Sequence, residues 1–394
     1  MSSAPAFVLP LLALGLLDCE SVGFVLDFVD AGGLAAPDDS ATAVESGTPP
    51  PVASGSDASG SEAGSGAGGS DATSGPDATR PDASNGPPPS CVTGAPGTLN
   101  CGASSESCCT SLPVPAGMFN RVYTNTGGGA TGLANPAIVS AFQLDKYDVT
   151  LGRFRAFVTA WNGGYTPPQG SGKHTHLNDG QGLKNSASPG SYEPGWLTSD
   201  DLNLRPTDTL LSCDPTHQTW TSTPGNNENL PVNCANWYEA YAFCIWDCGF
   251  LPSETEWEYA AAGGTDQREY PWGSAPPGTA NRYAIYGQYY PSGSATALGV
   301  ANIAPVGTAT LGAGRWGQLD LAGELYQWNL DFNADYVDPC ADCASTTSAL
   351  ASPSRIRRGG AFGYDATQLY PSSRLNFPPA HRDNNVGFRC ARTP

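Results

Sequence analysis

Apolar residues recur at spacings of three and four through Trp237, Tyr241, Cys244, Ile245 and Cys248, the rhythm of one helix face. Asn236 stands just before that run as an N-cap, and Glu239, three residues on, can reach back to complete a capping box. Gly249 is the expected stop, because glycine takes up a left-handed C-terminal conformation at little cost. The same grammar then repeats. Ser253 caps, Glu256 closes the box, and Glu254 and Glu258 lie near the positive end of the helix dipole. Ala260 to Ala262 carry the second helix to Gly263-Gly264, where it ends. Capping and dipole compensation account for all three glutamates, and a catalytic role for them is the weaker reading.

Earlier in the chain, Leu112 to Met118 precedes an extended run. Thr150 is placed to cap a helix with Phe154, Phe157, Val158 and Trp161 on its apolar face, ended by Gly163-Gly164. Gly127 to Gly132 fits G-x-G-x-x-G but opens no βα unit, so it is read as a turn rather than a dinucleotide site. Residues 165–230 are polar, glycine-rich and without clear period, and are read as surface loop. His174 and His176 within it would share one face of a strand, but no third metal ligand is in view.

Composition sharpens this picture. With 48 glycines, 35 prolines and only 14% charged residues, the 394-residue chain suits a loop-rich fold. Its net charge of -19 argues against nucleic acid as a partner. Twelve scattered cysteines fit disulfides in an oxidising compartment better than zinc sites. Residues 6–17 are apolar, too short to span a bilayer but of signal-peptide length, which points to export to the cell envelope or beyond. No Lys or Arg precedes that segment, and Asp18 stands where a lipidated Cys19 would normally follow a small residue.

Four parts follow: a signal- or lipoprotein-like segment (1–30), a linker (31–90), a cysteine-rich knot (91–111) and one large domain (112–394). The linker has no aromatic and one basic residue, Arg80, so it cannot bury enough surface to offset its ordering entropy. As a flexible coil its ends would sit roughly 45 Å apart, making it a tether. In the knot, Cys91, Cys101, Cys108 and Cys109 are read as two disulfides with connectivity left open. The adjacent Cys108-Cys109 pair suits a four-thiolate zinc site badly.

Residues 231–273 closely resemble the formylglycine-generating enzymes, or sulfatase-modifying factors. The matching pieces are Pro231-Val232, Trp237, Ala240, Phe243-Cys244, Trp246, LPSETEWEYAA (Leu251 to Ala261) and YPWG (Tyr270 to Gly273). Phe250 stands where that family usually has arginine. Further resemblance runs through Ser140 to Thr150, through WGQLDLAGELYQWNLDF (Trp316 to Phe332), and through RIRRGGAF (Arg355 to Phe362), Arg374 and VGFRCAR (Val386 to Arg392). It covers about residues 112–392 and implies an α+β, disulfide-bonded, loop-rich fold of the formylglycine-generating-enzyme type, itself C-type-lectin-like. By the same resemblance Cys244 pairs with Cys390. Cys213 with Cys234 and Cys340 with Cys343 are further expected pairs, and Cys248 is left over.

The resemblance also carries two metal expectations. A calcium ion would be held by Asp320, the carbonyls of Gly323 and Leu325, and Gln327, with weaker affinity because Gln327 lacks the charge of the usual glutamate. A second calcium site would start at Asn281 and the Arg282 carbonyl, but no acidic residue lies between Arg282 and Asp320, so it is read as lost. Active relatives bind copper(I) through two cysteines shortly after RGGS, consistent with soft thiolate ligands. Here that segment, Gly363 to Arg374, contains neither cysteine nor histidine. Two functions then compete. One is a non-catalytic module that binds a protein or glycan through its loops, or serves as an envelope structure, with any membrane attachment through a lipid on Cys19. The other is an oxidoreductase acting on a sulfatase cysteine, whose copper would have to come to Cys340 and Cys343.

Overall fold

The structure, a computed structural model, describes residues 87–91 and 94–394. The apolar segment 6–17, Cys19 and the tether up to residue 86 lie outside the described residues, and so do the export and lipidation expectations that rest on them. In chain order the domain runs through strands β1 (Ser111–Val114), β2 (Gly117–Asn125), β3 (Ala130–Val139) and β4 (Phe142–Asp145), then helix α1 (Leu151–Asn162) and strand β5 (Lys184–Asn185). Helices α2 (Asp208–Leu211), α3 (Trp237–Trp246) and α4 (Glu254–Ala262) follow. The last third holds β6 (Tyr326–Phe332), β7 (Cys340–Ala341), β8 (Cys343–Ala344), β9 (Arg355–Arg358), β10 (Leu375–Phe377), β11 (Val386–Gly387) and β12 (Ala391–Arg392). These strands form small sheets ordered β1-β4-β12, β10-β9-β6-β11, β2-β3-β7 and β5-β8, with both parallel and antiparallel pairs. Segments from the two ends of the domain are thus neighbours, since β12 pairs with β4.

Both capping boxes form as the sequence spells them. The Asn236 side chain accepts from the Glu239 amide, and Glu239 reaches back to the Asn236 N–H; Ser253 and Glu256 do the same for α4. Gly263 ends α4 in the left-handed region, at φ 68°. At the end of α3 the expectation needs correcting. The left-handed residue is Cys248 (φ 61°), not Gly249. Gly249 is required for room instead, because a Cβ there would come 2.5 Å from the Ala391 carbonyl oxygen on β12. Nor is α3 one-sided: Ala240, Ala242 and Phe243 are as buried as Cys244, so the helix runs through the interior.

The main core gathers Phe154 and Phe157 of α1, Phe243 of α3 and Phe388 around ring contacts of 5.4–6.1 Å. It also takes in Leu177, Trp196, Leu204, Leu211 and Trp220, which corrects the reading of residues 165–230 as surface loop. Their apolar side chains follow no helix or strand period because each is delivered by a separate turn. Hydrogen bonds finish the burial of each indole: Trp196 Nε1 donates to Asp201 (2.8 Å) and Trp220 Nε1 to Asp208 (2.9 Å).

Disulfides join Cys213 to Cys234, Cys244 to Cys390 and Cys340 to Cys343. In the knot Cys101–Cys108 nests inside Cys91–Cys109, and Cys248 is disulfide-bonded as well. The knot packs closely on α1, where a Cβ on Gly152 would lie 1.9 Å from the Pro96 carbonyl. Beneath it Arg153, fully buried, donates to Asp145 (3.1 Å), to Asp247 (2.6 Å) and to Ser90 Oγ (3.0 Å). Asp247 in turn accepts from the Ser90 amide (3.0 Å) and from Arg392 (2.7 Å). One carboxylate therefore holds both the first and the last described stretches of the domain.

Candidate functional site

The foot of α4 concentrates the charge of the molecule. Glu254 pairs with Arg358 and with Arg374, and Glu258 with Arg358 (2.9 Å). Glu256 accepts from the Ser253 amide (2.8 Å), from Ser253 Oγ (2.9 Å) and from His174 Nε2 (3.0 Å). His174 spends its other ring nitrogen on both oxygens of Glu193, each at 3.1 Å. Burial alone would lower the His174 pKa, but the two carboxylates outweigh it and raise it to about 10, so the ring is a buried imidazolium. Burial likewise favours a neutral Glu256, and the His174 charge outweighs it to give a net lowering. Glu258 is lifted to about 7 by burial, against the pull of Arg358.

All three glutamates are thus committed to cations or caps. His174 lies in the interior rather than in a surface loop, and no sequence period could have shown its link to Glu256, 82 residues away. His176 packs on Phe250 with a ring separation of 5.7 Å.

Arg358 ends β9 and leads into Gly359 and Gly360, both left-handed (φ 105° and 76°). A Cβ on either would come within 2.9 Å of a carbonyl oxygen, Leu321's or Gln368's, so this tight return requires glycine. It leads into the segment Gly363 to Arg374, which connects β9 to β10. The backbone is pinned by Gln288 N to Phe362 O (2.7 Å) and Gly287 N to Tyr364 O (2.8 Å). Asp365 caps a short 3-10 turn, accepting from the Thr367 amide at 2.9 Å. Gln368 Oε1 accepts from Tyr326 (3.2 Å) and Ser373 (3.0 Å), Leu369 is buried, and the Tyr364 ring stands edge-on to Tyr326 at 5.2 Å. The donor set is phenol, amide and carboxylate, which does not fit a copper(I) centre wanting soft thiolates. Cys340 and Cys343 are buried in their mutual disulfide on β7 and β8. Among the described residues there is no free cysteine.

Beside this segment runs a row of rings in which Tyr370, Trp272 and Tyr283 are partly exposed and Tyr270 is buried. Tyr370 stacks on Tyr270 (5.2 Å), Tyr270 lies parallel to Trp272 (4.9 Å), and Trp272 leans on Tyr283 (5.5 Å). The sequence shows the YPWG motif but gives no sign that Tyr283 and Tyr370 extend it into a row.

Of the residues expected to hold calcium, Asp320 and Gln327 touch through the Asp320 backbone carbonyl. Asp320 is buried, left-handed (φ 58°), and accepts from the Gly307 amide (2.7 Å); burial lifts its pKa to about 6. Gln327, however, has its oxygen taken by Trp257 Nε1 (2.6 Å) and Arg389 Nε (2.8 Å), while its amide nitrogen donates to the Asp320 carbonyl (2.6 Å). A glutamate there could keep one oxygen for those two donors and turn the other to a metal. The amide's second arm is itself a donor, so Gln327 does not fit the ligand role expected of it. Among the described residues no group of three or more His, Cys, Asp or Glu is placed to hold a metal ion.

A loop-rich α+β domain, stapled by disulfides and built on two capping-box helices beneath an Arg-Gly-Gly turn, has the formylglycine-generating-enzyme fold. The chain belongs to the family of the sulfatase-modifying factor enzyme 1-like domain, whose model matches residues 97–394. It is 26% identical to the formylglycine-generating enzyme of Bos taurus over 315 residues, covering 75% of this chain and 78% of that one. It is 30% identical to the inactive C-alpha-formylglycine-generating enzyme 2 of Mus musculus over 168 residues, 41% and 49% of the two chains. Among solved structures, PvdO from Pseudomonas aeruginosa is similar at 19% identity and a TM-score of 0.46, covering 76% of this chain and 99% of that one.

Proposed function

We propose that this chain is an exported, tethered member of its family that acts as a non-catalytic binding or envelope structural module, with a protein or glycan as the partner of its loops. The observation that carries the reading is the thiol-free segment Gly363 to Arg374, whose side chains are engaged with one another, with Tyr326, with Tyr270 and with Glu254. Oxidation of a peptide thiol by dioxygen calls for a metal that also binds the substrate sulfur. The rival reading needs Cys340 and Cys343 as thiolates, and a buried disulfide between them supports it poorly. A relative whose name marks it as inactive shows that loss of the chemistry has a precedent among similar chains. The partly exposed rings of Tyr370, Trp272 and Tyr283 support a recognition role, since rigid aromatic surface is rich in contact energy.

The test is direct. The purified chain, given copper and a reductant, is expected to leave a CxPxR-type sulfatase peptide unchanged in mass. Conversion of that peptide, abolished by Cys340→Ser or Cys343→Ser, would restore the enzyme reading.

A further inference from the structure

We infer that two side-chain amides, Gln327 at the expected calcium site and Asn302 at a nearby cluster of backbone carbonyls, hold the domain together from within, which makes the fold independent of calcium. At Gln327 the orientation of the amide is fixed by its neighbours. Trp257 Nε1 and Arg389 Nε are both donors, so the atom facing them is the oxygen, and Nε2 must face the Asp320 carbonyl. Those three bonds tie α4, the 320 turn and the chain's last strands at one point. They also point an amide N–H at the Asp320 carbonyl, so a cation at that oxygen would meet a donor instead of a lone pair.

Asn302 repeats the device on a neighbouring loop. Its side chain is fully buried, and its Nδ2 faces the carbonyl oxygens of Tyr290 (2.6 Å), Thr296 (2.9 Å) and Gln288 (3.4 Å). Its Oδ1 accepts from the Leu298 amide at 2.6 Å. Several backbone oxygens converging on one point is the cradle a hard cation wants. Here an amide nitrogen fills it, at no cost in binding equilibrium and with no dependence on ion supply.

Nearby buried acids do not reopen the question. Asp148, Asp320 and Glu324 each take a different donor: Arg389 (3.1 Å), the Gly307 amide (2.7 Å) and the Ala304 amide (2.7 Å). Their oxygens do not converge as a ligand set.

The test uses the full chain and needs no variant to begin. Its melting temperature is expected to be the same in EDTA and in millimolar calcium; a rise with calcium, or a fall in EDTA, overturns the inference. Gln327→Glu, which changes one amide NH2 for an oxygen, is expected to create calcium dependence, seen as a rise of about 3 °C or more and as heat in a calcium titration. A Gln327→Glu chain that folds but ignores calcium would equally overturn it. Asn302→Asp, which turns a carboxylate on three carbonyls, is expected to melt lower in EDTA and to recover part of the loss with calcium. If it melts the same with and without the ion, the Asn302 half falls.

Discussion

The foot of α4 and the segment Gly363 to Arg374 are joined by two residues, Arg358 and Arg374, yet away from Arg374 they have opposite characters. At the foot, every acid has an assigned cation or donor, and the participants are almost wholly buried. Between Gly363 and Ser373, side-chain contacts are single hydrogen bonds and ring packing, and Gly363, Tyr364 and Asp365 are exposed. The difference teaches that the scaffold and the chemistry of this family are held by separate interactions. A buried ion-pair network cannot lose a member without leaving a charge stranded in a poor solvent. A surface segment can exchange its residues freely, provided the two glycines before it keep their turn.

Arg358→Ala is the strongest way to break the comparison. It strands Glu258, leaves Glu254 with Arg374 alone and frees the Pro371 and Ser373 carbonyls, so we expect a loss of about 3–5 kcal/mol in denaturant unfolding, or failure to fold. A stable variant would mean the network matters less than its burial implies.

His174→Gln should cost about 3 kcal/mol at neutral pH, since Glu193 and Glu256 lose their shared cation. The pH dependence has a definite sign. Because the folded pKa is raised from 6.5 to about 10, the stabilisation is complete below pH 6.5 and is lost as pH rises through about 10. The stability gap between wild type and His174→Gln is therefore expected to narrow from neutral pH towards pH 10. A gap that stays constant over that range would show that the ring is not ionised.

Within the segment, Tyr364→Ala should cost less than about 1 kcal/mol, because its side chain is exposed, and Gln368→Ala about 1–2 kcal/mol, because its oxygen accepts two neutral hydrogen bonds. A larger loss at either position would show that the segment is part of the scaffold after all.

Legibility followed the range of the interactions. Both capping boxes act over three residues, so Asn236–Glu239 and Ser253–Glu256 could be read directly from the chain. The absence of thiols after Arg358-Gly359-Gly360 was equally plain. Gly249 shows where local rules mislead, since its lack of a side chain serves a β12 backbone 142 positions later in the sequence. The burial of His174 and Trp196 was invisible for the same reason: irregular loops carry no period, and their partners are chosen by the tertiary fold. The orientation of Gln327 depends on Trp257 and Arg389 together, and no spacing rule encodes a bond to two distant donors.

Asp247, gripping both Ser90 and Arg392, gives the molecule portability. Its two ends leave from one place, so the whole domain can be hung from a leader, fused at either side or spliced into a loop of a host protein without prising its layers apart. The same grip moves the true edge of the module upstream of residue 97, where family similarity begins. A version cut at that residue would discard Ser90 and Cys91, uncover Arg153 and split the outer loop of the knot, so any transplant has to carry the strip before it.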